Sequence, residues 1–262
     1  MNTRIVTFFL EKIARAFSYL DKRKNRFVLR ITENIHARLK RSYSLFGEDL
    51  VIDGILKRIK YETKKELTLS YVDIGAWRPI AGSNTYFLYK RGVHGTVVEP
   101  NPHMAYRWGK LRSNDQYLNF GVGVASKQDF FLFEENSPAN SFDVNFVKEI
   151  SAKESVNVGS VVQIECKTLE DILKMHLSAN TGDYILDIDV EGMDYDVLTT
   201  FDFESLHRPI LMSIEDTESP IISSRINAYL NSKHYFLLGR TVLTSIYGDR
   251  KRIELRALAS IV

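Results

Sequence analysis

The chain has 262 residues, 35 of them Lys or Arg and 33 Asp or Glu, so its formal net charge is only +2. Its hydrophobic fraction of 44% is ordinary for a globular protein, and its length suits one full α/β domain with a small appendage better than two independent domains. The single cysteine, Cys166, excludes an internal disulfide and a cysteine-rich metal site.

The first 45 residues differ in charge from the rest of the chain. They contain eleven Lys or Arg and three acids, which gives this segment a net charge of +8 and the remaining chain −6. Apolar residues at helical spacing in residues 2–20 predict an amphipathic helix, and a second, more basic helix is predicted over residues 26–41. We therefore predict a basic helical arm at residues 1–42 and a folded domain at residues 43–262.

Two uses of this arm stay open. Its aromatic and basic faces suit peripheral contact with the anionic inner face of a membrane, whereas packing against a second subunit would give a homo-oligomer. Nucleic acid is not an expected partner, because the basic residues are confined to the arm and the body is acidic. No stretch reaches the ~18–20 apolar residues of a transmembrane helix, and no signal-peptide cleavage site is found. We expect a cytoplasmic location.

Beyond the arm, Ser44–Ile59 predicts a helix, and short apolar strands then alternate with helical stretches. This alternation is typical of a parallel sheet with crossover helices. The predicted strands cover residues 69–74, 95–99, 116–124, 130–133, 161–166, 184–189 and 210–215, and the predicted helices cover residues 83–90, 102–111, 193–201 and 221–231, with one more starting at Thr168. Closing strands at residues 235–239, 241–247 and 253–258, with a turn at Tyr247–Arg250, predict an antiparallel end.

The strongest local motif lies at the end of the first predicted strand, where Asp73-Ile74-Gly75-Ala76 follows an apolar run. Ligands of open α/β sheets bind outside the carboxyl ends of the strands, and glycine lets the backbone approach a ligand closely. Only one glycine is present here, so the phosphate-binding G-x-G-x-x-G pattern is absent. The motif therefore favours a nucleoside ligand without a pyrophosphate.

Glu99 ends the next predicted strand, 24 residues after Gly75. A carboxylate at about this separation can accept hydrogen bonds from both ribose hydroxyls. The alternative is an acid that caps a helix opened by Pro100 and Pro102. Because the two motifs fall on successive strands, together they favour the nucleoside site.

At these residues the sequence resembles the FkbM-type methyltransferases. The resemblance covers about residues 43–247 and rests on five motifs: Phe46–Asp49, Asp73–Ala76, Ser83–Thr85 with Tyr86–Leu88, Glu99–Pro102 and Asp187–Gly192. It implies the class I methyltransferase Rossmann-like fold, with S-adenosylmethionine as the methyl donor. Many members of the family carry a lysine where this chain has Asp187.

The resemblance also implies which residues hold the cofactor. We expect S-adenosylmethionine to be bound by a set that combines the strand ends with the family motifs: Glu48, Asp73, Gly75, Ala76, Asn84, Glu99, Pro100, Asn101, Gly121, Val122 and Asp187. The polar segment Glu134–Phe142 is a candidate loop for shaping the acceptor or adenine pocket.

Acids also end two later strands. At strand period the carboxylates of Asp187, Asp189 and Glu191 would share one side, and Glu215-Asp216 ends the following strand. Asp189, Glu215 and Asp216 could supply the oxygen ligands that Mg²⁺ prefers. Without a metal, Asp189 or Glu191 is the candidate catalytic base, and ordinary capping roles for these acids stay open.

The resemblance, together with the acidic strand ends, implies an O-methyltransferase that acts on a sugar hydroxyl in polysaccharide or glycan biosynthesis, with or without a divalent metal. Family members commonly methylate hydroxyl oxygens of sugars and of glycosylated or polyketide compounds. Two alternatives stay open: an NAD-type Rossmann oxidoreductase, against which the missing glycines count, and a non-catalytic nucleotide-binding scaffold.

Overall fold

A computed structural model describes residues 41–64, 66–124, 126–204, 207–218 and 224–253. The two helices predicted in the N-terminal arm lie outside these residues, as does the predicted last strand beyond Ile253. The described residues from Tyr43 to Ile253 form one compact unit, whereas the boundary of the predicted arm stays a prediction. Among the described residues, no helix combines the length and the apolar character needed to cross a bilayer.

In the part of the chain that the structure describes, ten strands form two sheets. In chain order they are β1 (Leu69–Ile74), β2 (Gly95–Val98), β3 (Gln116–Leu118), β4 (Gly121–Val122), β5 (Lys127–Leu132), β6 (Ser160–Lys167), β7 (Asp183–Ile188), β8 (Leu211–Glu215), β9 (Tyr235–Arg240) and β10 (Thr244–Asp249). The larger sheet has the order β3-β2-β1-β7-β8-β10-β9, and the smaller has the order β4-β6-β5.

The larger sheet is parallel from β3 to β8 and antiparallel at β10 and β9. Asp73 in β1 lies opposite Val97 in β2 on one side and Asp187 in β7 on the other. The prediction of an α/β, mostly parallel Rossmann-like sheet with an antiparallel C-terminal end is confirmed.

Seven helices accompany these strands; the first precedes β1 and the other six lie between strands. They are α1 (Glu48–Thr63), α2 (Tyr86–Tyr89), α3 (Ala105–Leu111), α4 (Val144–Glu154), α5 (Leu169–Ala179), α6 (Asp194–Thr199) and α7 (Arg225–Ser232) in the described ranges. Side-chain caps explain several of the starts: Asp143, Thr168 and Ser224 each accept a hydrogen bond from a backbone N–H in the first turn. A 3-10 turn at Pro102–Met104 leads into α3.

The two faces of the sheet carry separate apolar clusters, as strand alternation requires. Val72 and Leu186 lie in one cluster with Ile172 of α5, and Tyr71 and Ile185 lie in the other with residues of α1. His176 of α5 is also buried and joins two strands: Nε2 lies 2.9 Å from Ser70 Oγ and Nδ1 lies 3.0 Å from Thr96 Oγ1. Burial lowers the pKa of His176 to about 4.

Four details differ from the sequence prediction. The predicted strand at residues 116–124 is split into β3 and β4, which belong to different sheets. The helix predicted at residues 83–90 is a single turn, α2. Helix α4, in which only Val147 is buried, was not predicted. The turn predicted at Tyr247–Arg250 is wrong: Tyr247–Asp249 lies within β10, and residues 241–243 connect β9 to β10.

A buried arginine ties β1 to the segment before α2. The Arg112 side chain is fully buried, and Nε donates to Asp115 Oδ2 over 2.6 Å. The terminal nitrogens donate to Tyr71 Oη, Thr85 Oγ1, Ser83 Oγ and the Pro79 carbonyl at 2.7–3.4 Å. Thr85 Oγ1 in turn donates to Asp73 Oδ2. The guanidinium therefore has an acceptor for each of its five N–H groups.

Arg112→Met tests this network. Because the change leaves the Asp115 carboxylate buried without its counter-charge, we expect a loss of about 3–5 kcal/mol in the free energy of unfolding. Urea denaturation measures the loss. The matched control is Arg91→Met, which should cost at most about 1 kcal/mol, because Arg91 is exposed and its partner Asp53 keeps the ion pair with Lys57. Equal losses in the two variants would contradict the importance of the buried network.

Candidate functional site

A cleft lies at the carboxyl ends of the parallel strands, where the strand order reverses between β1 and β7. It has an empty volume of about 550 Å³, counted to its opening on solvent. The loops after β1, β2 and β7 and the segment 134–142 line it. The lining residues that matter most below are Gly75, Trp77, Glu99, Asn101, Val122, Ser141, Asp189 and Glu191.

Gly75 brings the β1 loop against the β7 loop. Its φ is +81°, and a Cβ at this position would lie 1.7 Å from the carbonyl oxygen of Asp189. The Gly75 N–H donates to the Val98 carbonyl over 2.9 Å, and the Asp189 N–H donates to the Ile74 carbonyl over 3.0 Å. No larger residue could occupy this position without displacing the β7 loop, so the cleft wall depends on the glycine.

Glu99 follows β2 and is 5% exposed. Oε2 accepts a hydrogen bond from the Trp77 N–H and Oε1 one from the Asn101 N–H, each over 2.7 Å. Each oxygen retains acceptor capacity for a ligand hydroxyl. The cap of the Pro102 turn is Asn101, whose Oδ1 accepts from the His103 N–H. Burial, the largest effect, raises the pKa of Glu99 to about 7.

The structure divides the expected cofactor residues into separate groups. Five of them line the cleft: Gly75, Glu99, Pro100, Asn101 and Val122. Four more, Glu48, Asp73, Asn84 and Asp187, are not among the lining residues. Ala76 is buried in the core, and Gly121 packs so closely on Cys166 and Phe142 that a Cβ would lie 2.5 Å from each.

The four polar residues outside the lining are held by hydrogen bonds of their own. Asn84 Nδ2 donates to Asp187 Oδ2 over 3.1 Å, and Glu48 Oε1 accepts from Thr241 Oγ1. Burial raises the pKa of Asp187 to about 8, and the charge of Asp73 adds to this effect. Asp73 and Asp187 are direct neighbours in the sheet, so their carboxyl groups repel when both are ionised.

The expectation that Asp187, Asp189 and Glu191 share one side is wrong. Strand β7 ends at Ile188, and Glu191 has a left-handed backbone with φ +51°. The alternation of side chains between the two sides of the strand therefore ends before Asp189 and Glu191. Asp187 meets Asn84, whereas Asp189 and Glu191 line the cleft.

A group of acids occupies the far end of the cleft. Carboxylate oxygens of Asp189, Asp194 and Glu215 lie within 4.8 Å of one another. Asp189 Oδ1 is buried and has no hydrogen-bond partner in the part of the chain that the structure describes. Burial and the charge of Glu215 raise the pKa of Asp194 to about 7 and that of Glu191 to about 8. Among the described residues that line the cleft, none is Lys, Arg or His.

This group overlaps the expected metal ligands without matching them. It contains Asp189 and Glu215, whereas Asp216 lies apart: Oδ2 accepts from Ser224 Oγ over 2.7 Å and Oδ1 from the Glu218 N–H over 3.2 Å. Asp194 was not predicted. It lies at the start of α6, where its Oδ1 accepts from the Val190 N–H over 3.0 Å. The turn between β7 and α6 brings its carboxylate close to that of Asp189.

A family model for the methyltransferase FkbM domain matches residues 73–237 of the chain, which is more than half of its length. The matched range begins in β1, ends in β9 and includes every described residue that lines the cleft. No curated protein and no solved structure matches the chain in the other two comparisons.

The raised pKa values predict how stability depends on pH. Glu191 has a pKa of about 8 in the folded protein against an ordinary 4.5, so the folded state binds more protons than the unfolded state between these values. Its contribution is therefore fully present below about pH 4.5 and is lost as the pH rises through about 8. We expect Glu191→Gln to flatten the fall in the free energy of unfolding over this window, measured by urea denaturation at several pH values.

The control is Glu165→Gln, which changes an exposed glutamate in β6. Its pH curve should run parallel to that of the unmodified protein. A parallel curve for Glu191→Gln as well would contradict a raised pKa for Glu191.

Proposed function

The chain belongs to the FkbM methyltransferase family, and from this premise we propose that it transfers a methyl group from S-adenosylmethionine to a sugar hydroxyl. The family membership selects a methyltransferase over an NAD-type oxidoreductase and over a scaffold without activity. The cofactor, the acceptor and the metal are the proposed parts. The single observation that carries the cofactor assignment is Glu99, a buried carboxylate with free acceptor capacity in a cleft without basic side chains among its described lining residues.

The cleft fits a sulfonium nucleoside better than a dinucleotide. A pyrophosphate needs backbone N–H groups of a glycine-rich loop or cationic side chains, whereas this lining carries the acids Glu99, Asp189 and Glu191. Gly75 lets the β1 loop pack directly on the Asp189 carbonyl, and this contact shapes the cleft wall beside Glu99. We infer that Glu99 holds the ribose hydroxyls and that Pro100 and Val122 contact the nucleobase. The bound cofactor supplies an electrophilic methyl group.

The acid group supports the acceptor half of the proposal. Glu191 lines the cleft, and a pKa of about 8 places it where a carboxylate can take a proton from a hydroxyl near neutral pH. Asp189 is the second candidate for this role, since its Oδ1 has no partner among the described residues. A neutral acceptor such as a sugar also suits an acidic wall better than a phosphorylated or carboxylated one, because like charges repel.

A divalent metal is the second form of the same proposal. Asp189, Asp194 and Glu215 offer the carboxylate oxygens that Mg²⁺ prefers, and a cation would relieve the repulsion among them. The metal would lower the pKa of an acceptor hydroxyl. Polysaccharide or glycan biosynthesis as the setting, a cytoplasmic location, an oligomer and membrane contact through the N-terminal arm stay predictions from the sequence.

Glu99→Gln tests the cofactor half. The amide loses the charge and turns an NH₂ group toward one of the two backbone donors, so we expect weaker binding of S-adenosylmethionine by about 1.5–3 kcal/mol, roughly ten- to a hundred-fold in Kd. Isothermal titration calorimetry at pH 8, with NAD as a second ligand, measures it. Glu165→Gln is the matched control and should bind normally. No binding of S-adenosylmethionine to the unmodified protein would refute the cofactor assignment.

Asp189→Asn tests the acceptor half. We expect turnover to fall at least about a hundred-fold while cofactor affinity changes little, because general-base groups contribute to the rate and not to cofactor binding. Turnover is measured as the mass gain of one CH₂ group on glycan acceptors. A chelator separates the two forms: full activity in its presence excludes the metal and leaves the base. Normal turnover in Asp189→Asn would remove Asp189 from both roles.

A further inference from the structure

Residues 134–142, here named the cover loop, lie over the cleft and are held by the same two residues that hold Glu99. Trp77 donates its backbone N–H to Glu99 Oε2, and its indole Nε1–H donates to the Asn136 carbonyl over 3.1 Å. Asn101 donates its backbone N–H to Glu99 Oε1, and its Nδ2 donates to the Glu135 carbonyl over 2.7 Å. Each oxygen of Glu99 is thus linked, through one residue, to one of two adjacent carbonyls of the cover loop.

Trp77 is fixed in an uncommon conformation that makes this double contact. Its φ is +41°, which a side chain as large as Trp rarely adopts. Its carbonyl accepts from Nε1 of the buried Trp108 over 3.0 Å, and its ring packs so closely on Gly82 that a Cβ there would lie 2.7 Å away. The Arg78 guanidinium lies 4.3 Å from the Trp77 ring centroid. Strained backbone of this kind persists where the surroundings enforce it.

The other end of the cover loop contacts the acid end of the cleft. Ser141 Oγ donates to the Glu191 carbonyl over 2.9 Å, and Ser137 and Pro138 line the cleft between the two ends. The attachments by Trp77, Asn101 and Ser141 are neutral hydrogen bonds to backbone carbonyls, which are individually modest. The part of the loop that carries Glu135 and Asn136 can therefore be released while Ser141 stays bridged to Phe131 of β5 and Phe142 stays packed on Phe130. Its release also breaks two weaker contacts, from Arg78 to the Asn136 carbonyl over 3.4 Å and between His103 and Glu135 over 3.8 Å.

We propose that Trp77 and Asn101 are positioning residues that couple ligand binding at Glu99 to closure of the cover loop over the nucleoside half of the cleft. A ligand hydroxyl that engages Glu99 fixes the carboxylate, which fixes both backbone donors and, through their side chains, the two loop carbonyls. Opening requires the indole and amide contacts to break together. The proposal rests on the proposed function only in taking the ligand to be a nucleoside.

Hydrogen exchange of the free, full-length protein tests the coupling, with Trp77→Phe, Asn101→Ser and the double variant. Phe keeps an aromatic ring without the N–H, and Ser keeps a side-chain oxygen to cap the Pro102 turn without reaching Glu135. We expect amides of the released part of the cover loop, such as that of Ser137, to exchange about two- to ten-fold faster for each lost hydrogen bond, whereas β1 and the Ser141 amide, which is bridged to Phe131, should be unchanged. Asn180→Ser is the control, since it removes an equivalent donor to the His176 carbonyl.

S-adenosylhomocysteine is the ligand probe. In the unmodified protein it should slow exchange of the cover loop. In the double variant it should still bind, dissociate at least about five-fold faster and protect the loop much less, an effect that a merely structural role would not produce. Unchanged loop exchange in the double variant, or equal protection by the ligand in both proteins, would overturn the proposal. If the ligand fails to bind the unmodified protein, the proposed function fails, and the free-protein exchange still decides whether Trp77 and Asn101 hold the loop.

Discussion

One buried guanidinium holds the first part of the cleft together. Arg112 lies at the end of α3, yet its five N–H groups reach β1 through Tyr71, the segment before α2 through Ser83 and Thr85, and its ion-pair partner Asp115. Asp115 accepts from the Gly95 N–H at the start of β2, and Thr85 donates to Asp73. Two strands and a loop that share no local sequence are thereby fixed in one arrangement, and Asn84 is set against Asp187.

The cleft built on this frame has a sharply divided chemistry. The half proposed to bind the nucleoside is a carboxylate with two backbone donors and an adjoining glycine, all fixed by β1 and β2. The half proposed to bind the acceptor is a set of acids at the ends of β7 and β8 that have raised pKa values and no basic neighbour among the described lining residues. A cationic sulfonium, a divalent metal or protons can each relieve that repulsion. The same electrostatic feature thus favours the proposed cofactor and leaves a place for a metal.

Much of the fold could be predicted from the sequence, because apolar runs that end in an acid and a glycine define strands with little ambiguity. Strand β1 has the predicted bounds, and the acids of the β7 loop could be anticipated at the cleft. Other features depend on backbone turns that no pattern reveals. Strand β7 ends at Ile188, and the positive φ of Glu191 turns the chain after Asp189, so the strand alternation does not continue through these acids. The turn before α6 places Asp194, not Asp216, in the acid group. The roles of Trp77 and Asn101 arise only when distant loops meet.

The buried His176, which joins two strands of the sheet, changes its protonation state at a lower pH than the acids of the cleft. With a pKa of about 4, His176 stays uncharged across neutral pH while it bridges β1 and β2. Glu99 and Glu191, which line the cleft, have pKa values of about 7 and about 8. A modest change in cellular pH would therefore alter the charge of the cleft and leave unchanged the contacts by which His176 joins β1 to β2.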